Sequence, residues 1–150
     1  MPTSVNDSGT WRSIKNIYRN DSGTWRLIDS LYINDSGSWR KVHEKLKATL
    51  STGTLGADNL AGDPATTYFG NVTASGAGGW PTYSYSWSLV DCECPVDATP
   101  YPDNPNSDTT GFTLDTAIAG TYYADFKCTV SDSIGQTVDT SDVTVTFNVY

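Results

Sequence analysis

The feature that most constrains this chain is a motif of seven residues written three times at a spacing of 14. Asn6-Asp7-Ser8-Gly9-Thr10-Trp11-Arg12 recurs as Asn20-Asp21-Ser22-Gly23-Thr24-Trp25-Arg26 and as Asn34-Asp35-Ser36-Gly37-Ser38-Trp39-Arg40. Asn-Asp-Ser-Gly is a turn signal, because Asn and Asp bond nearby backbone and tolerate left-handed geometry while Gly accepts positive φ freely. The Thr-Trp-Arg-x-Ile and Ile-Tyr or Leu-Tyr segments between the turns are rich in aromatic and β-branched residues, and these favour strands. The repeat therefore predicts a meander of short hairpins, or a small solenoid, over residues 1–47.

With two-residue turns at Lys15-Asn16 and Asp29-Ser30, Ile14 pairs with Ile17, Ser13 with Tyr18, and Tyr18 also with Trp25. One face then carries Trp11, Tyr18, Trp25, Tyr32 and Trp39. The other carries Arg12, Ile14, Arg26, Ile28 and Arg40. Such a meander cannot bury either face within itself. The expected cover is other copies of the chain, a trimer included, or a large partner, with Trp11, Arg12, Tyr18, Trp25, Arg26, Tyr32, Trp39 and Arg40 as the interface.

Charge divides the chain at the same place. Residues 1–50 hold eight Lys and Arg against five Asp and Glu, a net of +3; residues 51–150 hold Lys127 alone against twelve acids, a net of −11. The acidic turns oppose nucleic-acid binding, and one carboxylate per repeat falls far short of the six to eight oxygens that Ca²⁺ takes. The formal glycosylation sequons at Asn6, Asn20, Asn34 and Asn71 are read as turn or strand residues. No apolar run approaches the ~20 residues of a membrane-spanning helix, and Met1-Pro2-Thr3-Ser4 lacks the character of a secretory signal.

Residues 48–67 shift to Thr, Gly, Ala and Asp and read as a linker that contributes an edge strand. From 68 onward apolar residues alternate with polar ones, the period of strands with one buried face. Val72 and Ala74 form one such run and Tyr83, Tyr85, Trp87 and Leu89 another. Tyr122, Ala124, Phe126, Cys128 and Val130 form a third, and Val143, Val145, Phe147 and Val149 a fourth; Phe112 and Leu114 complete the set. The expected fold class is all-β, the repeat region being followed by an antiparallel sandwich over 68–150. Its core is expected around Trp87, Phe126, Cys128 and Val145.

Cys92 and Cys94, one residue apart, are expected not to bridge, and without nearby His they make an incomplete metal site. The Pro- and Asp-rich stretch from Asp91 to Asp108 offers Tyr101 and Asp103 as a candidate binding tip. A single His, no nucleophile beside a base, and no phosphate-cradling loop argue against an enzyme or a bound cofactor.

Residues 120–135, Gly-Thr-Tyr-Tyr-Ala-Asp-Phe-Lys-Cys-Thr-Val-Ser-Asp-Ser-Ile-Gly, resemble the late strand and turn of bacterial and phage immunoglobulin-like or PKD-type domains. Tyr83-Ser84-Tyr85-Ser86-Trp87 resembles their strand carrying the core Trp. The chain departs from that pattern in having Phe126 where a tyrosine corner would stand and no Cys near Val72. Tandem Asn-Asp-Ser-Gly-Thr-Trp-Arg repeats joined to such a domain resemble virion proteins of tailed bacteriophages, found in tails, fibres and head decorations. The resemblance implies a non-enzymatic structural protein assembled in the host cytoplasm into the virion, with other virion proteins as partners. The alternatives are a fibre tip that binds host surface glycan and a bacterial adhesion module.

Overall fold

The computed structural model describes residues 4–7, 9–13, 16–58, 67–68, 70–96, 98–116 and 118–150, with the side chains of 4–7, 10–13, 57–58 and 67–68 left aside. The described residues are all-β, with no helix among them. The first six strands form three separate two-stranded sheets: β1 (Ser4–Asp7) with β2 (Thr10–Ser13), β3 (Tyr18–Asp21) with β4 (Thr24–Leu27), and β5 (Ser30–Asp35) with β6 (Ser38–Glu44).

Each Asn-Asp-Ser-Gly motif is the turn of its own hairpin. Ser22 and Gly23 have φ of 51° and 89°, and Ser36 and Gly37 have 54° and 88°. Positive φ at both central residues is the type I′ turn, whose twist matches that of the flanking strands. Asn20 Oδ1 accepts a hydrogen bond from Gly23 N at 2.8 Å, and Asn34 Oδ1 accepts one from Gly37 N at 2.9 Å. Asn thus caps the turn while Ser takes the left-handed position.

This turn sets a register that differs from the expected one. Tyr18 pairs with Leu27 and Trp25 with Asn20, so Tyr18 and Trp25 are diagonal neighbours rather than partners. No hairpin closes across Asp29-Ser30, since Ser30 pairs with Glu44 in the third hairpin. Instead Ile28 N bonds Ile17 O and Lys45 N bonds Asp29 O, both at 2.7 Å, adding one rung to the base of each hairpin. The second hairpin ends at Ile28 and the third begins at Asp29, so consecutive hairpins abut without sharing a sheet. Ile14 and Lys15 lie outside the described residues.

Residues 48–67 hold most of one strand, all of a second and the first residue of a third. β7 (Lys47–Leu50) joins β10 (Val72–Ala77) and β13 (Thr109–Thr110) in the order β13-β10-β7. β8 (Thr54–Asp58) runs parallel to β17 (Val143–Val149), a departure from a wholly antiparallel arrangement. That sheet runs β11-β15-β17-β8, where β11 is Ser84–Glu93 and β15 is Gly120–Ser131; β16 (Thr137–Asp139) also pairs with β15. A last small sheet joins β12 (Tyr101–Pro102), β14 (Phe112–Leu114) and β9 (Thr67–Tyr68).

The period-two pattern places one shared core. Phe126, Cys128 and Val130 from β15, Val143, Val145 and Phe147 from β17, Val72 from β10 and Phe112 and Leu114 from β14 have no exposed surface. Phe112 stacks on Phe126 with ring centroids 4.2 Å apart and meets Trp87 edge-on at 5.8 Å. Trp87 Nε1 donates to Ser107 O at 2.9 Å, so the indole is both packed and satisfied. Burial raises the Cys128 thiol, which stays free and behaves as a small hydrophobe.

The Cys-x-Cys expectation is corrected. Cys92 and Cys94 are disulfide-bonded, with Cα atoms 5.3 Å apart. The two residues flank Glu93 at the end of β11.

Phe126→Ala removes a fully buried ring that stacks on another, and it should cost about 3 to 5 kcal/mol, read as a lowered urea midpoint at unchanged slope.

Candidate functional site: the hairpin faces and their joint to the body

Opposite residues of an antiparallel pair share a face, so the register assigns every hairpin side chain. In the second hairpin Tyr18, Asn20, Trp25 and Leu27 lie on one face and Arg19, Asp21, Thr24 and Arg26 on the other. In the third, Tyr32, Asn34, Trp39 and Lys41 share one face, and Ile33, Asp35, Ser38 and Arg40 share the other. The two hairpins repeat one design: an aromatic side and a side of Arg with Asp. The sequence separation of Trp and Tyr from Arg is thereby retained, although the pairing that produces it differs. The side chains of Trp11 and Arg12 lie outside the described residues.

The aromatic sides are open. Trp25 is 68% exposed and Trp39 70%, with Tyr18 and Tyr32 about half exposed. Lys41 Nζ stands 5.7 Å from the centroid of the Tyr32 ring and bonds Glu44 Oε2 at 2.9 Å. That bond raises the Lys41 ammonium and lowers the Glu44 carboxyl relative to their ordinary ranges. On the opposite sides Arg19 and Arg26 approach Asp21 at 3.5 and 3.7 Å, and Arg40 approaches Asp35 at 3.7 Å. These long, exposed pairs contribute little stability and leave the guanidinium groups open to other acceptors.

The third hairpin is fixed to the body. Beyond its bulge at Val42, His43 and then Leu46 are buried, the latter at the entry to β7. Gly79 N donates to Glu44 O at 2.8 Å. Gly78 and Gly79 have φ of 70° and 54°, and a Cβ on Gly78 would overlap the Lys45 carbonyl oxygen. Beneath them the buried Asp132 accepts hydrogen bonds from Trp80 N, Ile134 N, Gln136 N and Gln136 Nε2. A recess of about 320 Å³ sits at this joint, with Lys41, Glu44, Trp80 and Tyr83 among its walls. His43 Nε2 and Trp80 Nε1 are buried there without a partner among the described residues. The repeat pattern does not reveal this joint; the Gly78-Gly79 pair beside Trp80 is its trace in the sequence.

The candidate loop residues are drawn into the body. Tyr101 pairs with Thr113 across β12 and β14, and its hydroxyl donates to Asp115 Oδ2 at 3.0 Å, which raises its ionisation above the ordinary phenol range. Asp103 Oδ1 accepts from Thr113 Oγ1 at 2.6 Å, while Oδ2 is buried without a partner among the described residues. Tyr101 keeps about half its surface exposed. The structure therefore does not bring this pair near the hairpin faces through any strand pairing: β12 belongs to a body sheet.

Among the described residues no group of three or more His, Cys, Asp or Glu is arranged to hold a metal ion. No protein-family model matches the chain, and no curated protein matches it.

Gly78→Ala should destabilise the protein by more than about 1 kcal/mol, because it adds both a strained φ and a backbone clash, and differential scanning calorimetry would show the lowered Tm. Acid should act on the same joint. The depressed Glu44 carboxyl contributes stability that is present above its unfolded value, about 4.3, and is lost as pH falls through its lower folded value. The acid-side fall in Tm should accordingly be shallower for Glu44→Gln, measured by thermal melts from neutral to strongly acidic pH.

Proposed function

We propose that this chain is a non-enzymatic structural protein of a tailed-bacteriophage virion, its hairpins attaching it to the particle and its body projecting as an immunoglobulin-like sandwich. The observation that carries the attachment role is the exposure of Trp25 and Trp39 on repeated, equivalent hairpin faces. Trp and Tyr are among the residue types that dominate binding energy at protein interfaces, and the second and third hairpins each present one Trp and one Tyr on the same face. A two-stranded ribbon is marginal alone, so a surface that covers the indoles stabilises the ribbon and the attachment together.

The projecting role draws support from the body. Among the described residues, none of the hairpins' aromatic side chains belongs to its buried cluster. Trp87 in β11 packs against Phe112 of a different sheet, as the core Trp of an immunoglobulin-like sandwich packs between layers. The partners on this reading are other virion proteins, and the place of action is the assembled particle.

The exposed indoles also suit a second reading, a fibre tip that stacks on the sugar rings of host surface glycan. The two readings separate experimentally. Trp11→Ala, Trp25→Ala and Trp39→Ala combined in the full chain should abolish incorporation into particles while the fluorescence of the two remaining indoles, Trp80 and Trp87, reports an intact body. Normal incorporation with lost glycan-array binding would transfer the hairpins to the glycan role. The full chain is the right object, since a fragment beginning at Ser51 would lack β7, which supplies an edge strand to the body.

A further inference from the structure

The attachment role makes no use of the bridge between Cys92 and Cys94, and the surroundings of that bridge set it apart from a structural staple. It closes around one residue, Glu93, at the end of β11, the outer strand of its sheet. In the chain-entropy account a disulfide stabilises by shortening the loops open to the unfolded chain, and the effect grows with the number of residues enclosed. A bridge around one residue joins no two elements and adds little. The strand end is held by other contacts: Cys92 pairs with Ala124, Glu93 pairs with Tyr123, and Cys92 N donates to Asp91 Oδ1 at 2.8 Å. Both cysteines are half-buried at the margin of the core, whereas Cys128 has no exposed surface.

The third cysteine cannot join an exchange. Cys128 pairs with Trp87, five residues along β11 from Cys92, about 16 Å at the rise of a strand. A disulfide needs Cα atoms within about 7 Å. Inside the folded chain the two sulfurs of Cys92 and Cys94 can therefore re-close only on each other. An opened Cys94 also has a place, because its Sγ lies 3.9 Å from Tyr123 O, in reach of a weak contact from a thiol hydrogen.

We infer that Cys92 and Cys94 form a reversible dithiol–disulfide couple, opened and closed by small thiols while the protein stays folded. On opening, a thiolate attacks one sulfur, the Sγ–Sγ bond breaks, and the released cysteine takes a proton. A second thiolate then attacks the sulfur of the small thiol in the mixed disulfide and frees the other cysteine, which takes a proton in turn. The pair gains two electrons and two protons, and the two small thiols leave as one disulfide. Closure is the reverse, with an oxidised small-molecule disulfide as the acceptor. The chain thus carries a Cys-Glu-Cys dithiol in a reducing compartment and a bridge in an oxidising one. This property is independent of whether the hairpins attach the chain to a particle.

The test uses the full chain, purified in air and equilibrated in glutathione buffers of graded reduced-to-oxidised ratio, then quenched with N-ethylmaleimide and mapped by mass spectrometry. Cys92 and Cys94 should become alkylated together over one transition, with Cys128 untouched and Tm lowered by less than about 5 °C. The rate of opening should rise in proportion to thiol concentration and stay flat in urea below the unfolding transition. Cys92→Ser should leave Cys94 to take up one glutathione in the folded chain. A rate that climbs steeply with urea, or alkylation of Cys92 and Cys94 only together with Cys128, would make the bridge a structural one and overturn the inference. So would a larger fall in Tm on reduction, or three free thiols in the chain purified in air.

Discussion

A two-stranded ribbon has two faces and no interior. Every property of the first third of this protein follows from that limit. In the second and third repeats the type I′ turns close each repeat onto itself, the register sends Trp and Tyr to one side and Arg and Asp to the other, and nothing within a hairpin lies between the two sides. Burial of a large side chain contributes about 1.5 to 3 kcal/mol, and hairpins that leave Trp25 and Trp39 in water forgo most of it. The stability of these elements is therefore tied to what covers them.

The body solves the same problem internally. Its long strands β11, β15 and β17 each present one apolar side, and the two shorter sheets supply the opposing residues Val72, Phe112 and Leu114. The joint couples the two regions. Glu44 O to Gly79 N, Leu46 beneath, and the Asp132 hub behind Trp80 bind the base of the third hairpin to the same framework that organises the core. Only glycine permits the approach at Gly78, where the Lys45 carbonyl takes the place of a side chain.

The all-β character and the buried face of each long strand were legible because period-two alternation is a direct record of which side meets the core. Val143, Val145, Phe147 and Val149 read as one side of a strand and are one side of β17. The repeat likewise marked the Asn-Asp-Ser-Gly turns, but neither the pairing across them nor the absence of a hairpin at Asp29-Ser30. Ladder register depends on where the positive-φ pair falls, and the composition of Asn-Asp-Ser-Gly leaves that choice among several residues; the structure selects Ser-Gly. The parallel pairing of β8 with β17 was not legible, because a parallel neighbour is chosen by tertiary topology and Leu55 alone gives little pattern. The bridge between Cys92 and Cys94 depends on local curl of the chain, which spacing does not encode. The joint was hidden for the same reason: Gly78-Gly79 reads as an ordinary loop until the Lys45 carbonyl is placed against it.

That each hairpin completes its own ladder has a consequence for how such a protein lets go. On the attachment role proposed above, one hairpin could leave a surface while its neighbours stay docked, because no rung of the ladder is shared between them among the described residues. The departed element remains tethered at high effective concentration and returns before the others release. Modest individual contacts then sum to a long residence time, and reach and tolerance to a slightly mismatched surface come from the repetition itself.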